Sequence, residues 1–269
     1  MKKAGTYYGL LKEYKSSQKH KNRIIHSWLV ILLITLFVIW ELASRIDWFN
    51  PLQFSSPSQV YALIFGNVSS GLMLMHLRVS LLATITGFII GTSSGILTAS
   101  ALWSSLRFFN IMNPFFIIMN ALPVLALGPV IIVLVGPGYF AIITIAAILT
   151  ALITSSVIYS GFKAVDYNYI KILKCFGATR GDIFKEAVFP ATLPTVILTL
   201  KINIYVSWIG IIIGEFLVSK KGLGYLTIYG VQISDVTLVA ASLLLITISA
   251  VIMHVIVKQT KHLLIRDSN

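Results

Sequence analysis

DYNYIKILKCFGATRGDIFKEAVFPATLP, residues 166–194, is the one long polar run in the second half of an otherwise apolar chain. It divides at Gly177 into two short amphipathic segments. In the first, Tyr167, Ile170, Leu173 and Phe176 recur at three-residue spacing, which predicts a helix with these four on one face and Lys171 and Lys174 turned away. Gly177 suits the left-handed residue that ends such a helix, because it has no Cβ to strain. Thr179 then offers a capping oxygen, and Asp182 three residues later completes a capping box at the start of a second helix. Ile183, Phe184, Ala187 and Val188 make that helix's apolar face, and Pro190 is expected to close it. Two capped helices with apolar stripes between membrane spans point to a surface on which a partner protein docks. A helix lying in the lipid interface has the same periodicity.

The surroundings of this run are those of a membrane protein. Of the 269 residues, 57% are apolar and 11% charged, whereas charged residues approach about a quarter of a soluble domain. The only cysteine, Cys175, excludes a disulfide within the chain and a cysteine metal site. A net charge of +12 would suggest an acidic ligand or nucleic acid in a soluble protein, but its distribution assigns it to the bilayer and to no nucleic acid. Residues 1–23 form a basic tail suited to anionic headgroups. Residues 24–44 have the length of a membrane span, and no small-residue cleavage site precedes Arg45 and Asp47, so the span is read as uncleaved.

Residues 45–76 read as an external loop in which Pro57 and Ser58 start an interfacial helix carrying Val60, Leu63 and Ile64. Residues 77–258 form the core, with five further spans expected at 77–103, 108–135, 139–160, 195–217 and 236–257, the loop 161–194 joining the fourth and fifth, and a tail at 259–269. In the second span Ala83, Gly87, Gly91, Gly95 and Ala99 recur every four residues, a smooth stripe that lets a neighbouring helix approach closely. The third span is interrupted by Pro114, Pro123 and Pro129. Their freed carbonyls must be satisfied by neighbouring helices or a cavity, which makes Pro123, where the span is expected to break, and Pro129 candidate pathway residues.

The fifth span holds two ionisable residues, Lys201 and Glu215. They are separated by about 21 Å along one helical face, too far to pair. Lys201, near enough to the inner end to snorkel, and Glu215, either interfacial or on an interior face, are both candidate gate or pathway residues. With the termini placed in the cytosol, the inner segments hold 16 of the 21 Lys and Arg: seven before the first span, Arg107, five in the central loop and three after the sixth. The positive-inside rule therefore puts both termini and the loop around Gly177 in the cytoplasm. The fold class is an all-α, multi-pass membrane protein with six transmembrane helices. No GxxxxGK[ST] motif or catalytic constellation occurs, and the five histidines have no metal spacing, so neither cofactor nor enzymatic activity is expected. His76 and His254 read as helix-end residues at the interface. An ion-coupled secondary transporter or a membrane-embedded enzyme would need midplane charges, repeated halves or clustered acids, and these are missing.

Gly177 and Ala178, ten residues to Phe189 and Pro190, and then Leu193 and Pro194 resemble the cytoplasmic "EAA" loop of binding-protein-dependent ABC transporter permeases. Lys171, Ile172 and Leu173 stand where that family has Glu-Ala-Ala, so the first charge is reversed. The stretch FSSPSQV (54–60) with His76 and Ser80, the proline-broken third span with Asn113 and Ala121, and Lys201, Trp208, Glu215 and Gly222–Gly224 are similar to the sulfonate/nitrate/taurine branch. The resemblance covers roughly 54–257. It implies a type I permease fold acting as a homodimer, two copies of an ATP-binding cassette ATPase gripping the coupling helices, and a soluble binding protein delivering solute from outside. Lys171, Gly177, Ala178, Thr179, Asp182, Ile183, Phe184 and Pro190 would then be the residues that couple to the ATPase. The branch covers sulfonates, taurine and nitrate and, in related members, thiamine or flavin precursors.

Overall fold

Uncharged apolar runs of membrane length, uninterrupted by helix-breaking pairs, leave the backbone one way to satisfy its own hydrogen bonds, which is to coil. A computed structural model describes residues 18, 21, 25, 27, 28, 30–32, 34–45, 55–69 and 71–266. The expected basic tail, apart from residues 18 and 21, and residues 267–269 lie outside the described residues. The expected first span, 24–44, lies partly outside them; its described residues are helical, and we call the stretch 34–45 α1. At its end Glu41 accepts from the Ser58 amide (3.2 Å) and hydroxyl (3.0 Å), and the Trp40 indole donates to the Ser55 carbonyl. These bonds seat the first turn of α2 (Pro57–Ser69) against α1.

Helix α3 (Leu72–Ser104) starts five residues before the expected span, because nothing in Leu72–Met75 breaks a helix and Gly71 takes the left-handed turn ahead of it (φ 76°). The proline-rich third span divides into α4 (Leu106–Ala121) and α5 (Val124–Val135), bent by 115° at Leu122–Pro123. Pro114 and Pro129 are carried inside these two helices. Gly136 and Gly138 turn the chain into α6 (Tyr139–Lys163). After α7 (Tyr167–Cys175) come α8 (Arg180–Ile183), a π-helical turn at Phe184–Val188 and α9 (Phe189–Val218), then α10 (Leu223–Gln232) and α11 (Val236–Arg266). Among the described residues, α3, α6, the continuous run Arg180–Val218 and α11 are each long and apolar enough to cross a membrane, and α4 with α5 makes one bent pair.

The centre of the bundle is α6, packed between α3 and α9. The small-residue stripe faces it: Ala83, Gly87, Gly91, Gly95 and Ala99 are all buried. A Cβ added at Gly87 would lie 2.8 Å from the Ala146 Cβ, and one at Gly91 2.6 Å from the Ala147 carbonyl oxygen. On the opposite side Gly210 of α9 comes so near that its Cβ would lie 2.6 Å from the Ala146 Cα. Ala146 is thus clasped between glycines of two helices. In lipid, where apolar burial gives helices no drive to associate, such close packing and interhelical hydrogen bonds hold the bundle. The bonds are present: the Asn203 amide donates to Thr92 (2.9 Å) and Thr154 (2.8 Å), and Thr150 pairs with Ser207 (3.0 Å).

Candidate functional site

The loop after α6 is built as its sequence pattern requires. Asp166 caps α7 by accepting from the Asn168 amide (2.9 Å). Gly177 takes φ 77°, and the Ala178 and Gly177 amides return to the Leu173 and Lys174 carbonyls at 3.1 and 3.0 Å, the two bonds of a Schellman ending. Thr179 and Asp182 exchange both bonds of the capping box at the start of α8. Hydrogen bonds from the Thr179 hydroxyl and amide hold the exposed Asp182 carboxyl below the usual carboxylate range. One expectation fails. Tyr167, Ile170, Leu173 and Phe176 do not share a face, because steps of three residues drift 60° each and carry Phe176 to the side opposite Tyr167. Ile170 and Leu173 pack inward, whereas Tyr167 and Phe176 (84% exposed) point out with Lys171 and Lys174.

The second segment faces inward. Ile183 and Val188 are buried, and the Phe184 ring lies 5.2 Å from Trp103, 5.3 Å from Phe162 and 5.9 Å from Phe189. The Arg180 guanidinium reaches the Trp103 carbonyl (3.3 Å) and covers its ring. These contacts fix the loop to the ends of α3 and α6. Pro190 does not close the helix. It lacks an amide hydrogen, and the ladder accommodates it by widening one turn: the Phe189 amide bonds to the Phe184 carbonyl, and the Thr192 hydroxyl bonds to the Val188 carbonyl. The result is an unbroken 39-residue helical path, Arg180–Val218, from the loop through the bundle. Between α7 and this path lies a groove lined by Tyr169, Ile172, Leu173, Glu186, Ala187 and Pro190.

A second feature lies between α4 and α6. Asn113, Phe116 and Asn120 repeat along one face of α4 and confront Ser156, Tyr159 and Lys163 on α6 across a cavity of about 560 Å³. Asn120 donates to the Ser156 hydroxyl (3.1 Å), Phe109 stacks on Tyr159 (4.8 Å between centroids), and the Lys163 ammonium rests over both rings at 4.6 and 5.1 Å.

Residues 87–264 match the sequence profile of the binding-protein-dependent transport system inner membrane component family. The chain belongs to this family. It is 27% identical over 195 residues to the formylaminopyrimidine transport permease ThiX of Halalkalibacterium halodurans, covering 72% of this chain and 77% of that one. It is 20% identical over 236 residues to SsuC of Bacillus subtilis, a permease assigned to aliphatic sulfonates, covering 86% of this chain and 84% of that one. Among solved structures it superposes on a chain of the inward-facing MetNI methionine ABC transporter with a TM-score of 0.61 at 17% identity, covering 71% of this chain and 95% of that one. The protein is therefore a multi-pass ABC importer permease of the all-α type I fold, similar to the sulfonate/nitrate-type members. Members of this family work with an ATPase and a substrate-binding protein.

In the permease the remaining expected site residues are scattered. Pro123 sits at the α4–α5 bend, Pro129 lies within α5, and Lys201 is half-buried on α9. Glu215 is buried in the bundle: it is 1% exposed and accepts from the Ser80 hydroxyl (2.6 Å) and the Gly224 amide (2.7 Å). Its carboxyl therefore caps the start of α10 from another helix. Ser80 also accepts from the Leu223 amide (2.7 Å), and His76 pairs with the backbone of Gly222, so His76 too is a buried member of this junction. The sequence offered the elements, since His76, Ser80, Glu215 and Gly222–Gly224 were all in the family pattern, but no periodicity joins residues more than 130 apart.

Proposed function

We propose that this permease acts as a homodimer in the cell membrane with both termini cytoplasmic, gripped by two ATPase subunits at the loop around Gly177 and supplied with solute by an extracytoplasmic binding protein. The observation that carries the coupling reading is the division of labour within the loop. Lys171, Ile172 and Phe176 offer an exposed, mixed apolar and basic surface, whereas Ile183, Phe184 and Val188 anchor to the bundle at the head of a continuous helix. A push on the first is delivered to the second through the rigid Gly177–Ala178 corner and the Thr179–Asp182 cap. Pro190 lies in the first turn of α9, directly after the π turn through which that push enters it. ATP binding closes the ATPases and draws the paired loops together, and the spans pass from inward-facing to outward-facing. The solute is small: a sulfonate, taurine or nitrate, supported by similarity to SsuC and NrtB, or a thiamine or flavin precursor, supported by similarity to ThiX and RibX.

The test is a pair of substitutions in the complex purified with its ATPase. Phe176→Asp should keep the thermal midpoint and lose ATPase co-purification; Phe184→Asp should lower the midpoint, because it places a carboxylate among three aromatic rings. Retention of a normally stimulated ATPase by Phe176→Asp would overturn the docking surface.

A further inference from the structure

The cavity between α4 and α6 is chemically unlike the rest of the membrane-depth surface. Elsewhere α4 and α5 expose the apolar side chains of Phe115, Ile118, Val133 and Leu134. Here polar groups converge and some are left unused. The Asn113 carboxamide and the Tyr159 hydroxyl make no hydrogen bond with any described residue, although both line the cavity and both are only half exposed. A carboxamide at membrane depth without a partner is costly unless water or a ligand completes it. Stacked beside these groups are the faces of Phe109, Phe116 and Tyr159.

The charges at the cavity decide what it suits. No carboxylate lines it, which removes the natural partner of a cationic solute. Its single cation, Lys163, is the last residue of α6, at the loop end of the cavity, and its ammonium is already engaged by two aromatic faces. A sulfonate or nitrate would need several N–H donors or a free positive charge converging on its oxygens, and the interior offers the amides of Asn113 and Asn120, the second already donating to Ser156. An amide side chain instead presents one donor edge and one acceptor edge side by side, the pattern that pairs with a lactam or an aminopyrimidine edge, while aromatic faces stack on a planar ring.

Resting on the permease reading above, we propose that this cavity is a solute site for an uncharged, planar, hydrogen-bonding heteroaromatic molecule, with Asn113 reading its polar edge and Tyr159 and Phe109 stacking on its ring. Asn120 and Ser156 close the side of the cavity nearest the Pro123 bend. Lys163 neutralises nothing on the solute; it props the Phe109–Tyr159 pair at the loop end.

The test uses the permease in nanodiscs, purified with its ATPase, and saturation-transfer NMR with two probes, uracil and ethanesulfonate. Transfer to the uracil ring protons and none to ethanesulfonate is expected. Asn113→Leu should weaken the uracil signal by about tenfold, the size of one lost neutral hydrogen bond in a dry site. Tyr159→Phe tests the site independently of folding at Asn113, and should leave stacking intact while losing about half that effect in log units. Transfer to ethanesulfonate that is abolished by Lys163→Gln would overturn the proposal in favour of an anion site. No transfer to either probe, with the ATPase still co-purifying, would overturn the cavity assignment and leave the permease reading intact; loss of the ATPase itself would instead strike at that reading.

Discussion

Gly91→Ala should destabilise the bundle even though alanine is the better helix former. The added Cβ would stand 2.6 Å from the Ala147 carbonyl oxygen and 2.6 Å from the Thr150 Cβ, and contacts become ordinary only beyond 3.4 Å. Neither neighbour is the end of a flexible chain, so α3 and α6 must move apart by nearly the whole deficit. Overpacking of this kind costs about 1–3 kcal/mol, against about 1 kcal/mol gained from replacing a mid-helix glycine. With both obstacles fixed, the upper half of that range applies, and the net loss is about 1–2 kcal/mol, or about 2–8 °C in thermal midpoint for a chain of this size. Gly66→Ala is the control, since its Cβ would meet nothing within 4 Å and only the propensity gain remains. Thermal unfolding of the two variants in one detergent, followed by tryptophan fluorescence, reads the difference. A Gly91→Ala midpoint equal to or above wild type would refute the claim that close α3–α6 contact holds the bundle.

Glu215→Ala strands the Ser80 hydroxyl and the Gly224 amide in a buried junction, at about 1–3 kcal/mol each; Glu215→Gln, which keeps an acceptor, should lose less than half as much in the same unfolding assay. Pro190→Ala restores an amide hydrogen and lets the π turn at Phe184–Val188 relax to an α turn, rotating α8 relative to α9. It should therefore leave stability level or higher but reduce ATPase stimulation in the complex. The depressed Asp182 carboxyl contributes stability above its unfolded value of about 4 and loses it only as pH falls through the lower folded value. The cap thus predicts a loop whose limited-proteolysis rate is flat from neutral pH down to about 5 and rises only below that, and a Thr179→Val variant, lacking the hydroxyl, should be cleaved faster even at neutral pH.

Local signals in the chain were readable where a short-range rule applies. The Gly177 ending and the Thr179–Asp182 cap lie within a few residues of their partners, and both form as the pattern demands. The four-residue stripe Ala83–Ala99 predicted a packing face because a helix alone places those residues together, and only its partner, α6, was hidden. Pro190 misled because a proline ends an α ladder only when the ladder keeps its register; one widened turn lets it pass. Glu215 stayed open between interface and interior for a different reason: its burial is set by α3 and α10, and the contact with α3 spans 135 residues in sequence. The cavity was illegible for the same reason: Asn113 and Tyr159 are ordinary residues until α4 folds back on α6.

Cys175, the only cysteine, lies exposed at the end of α7 and is a ready-made reporter for the claim on which the coupling account rests. A membrane-impermeant maleimide should label it in inverted vesicles and not in intact cells or right-side-out vesicles, and an engaged ATPase should protect it. Labelling from the exterior, or labelling that the ATPase leaves unchanged, would contradict a cytosolic loop that serves as the grip for the motor.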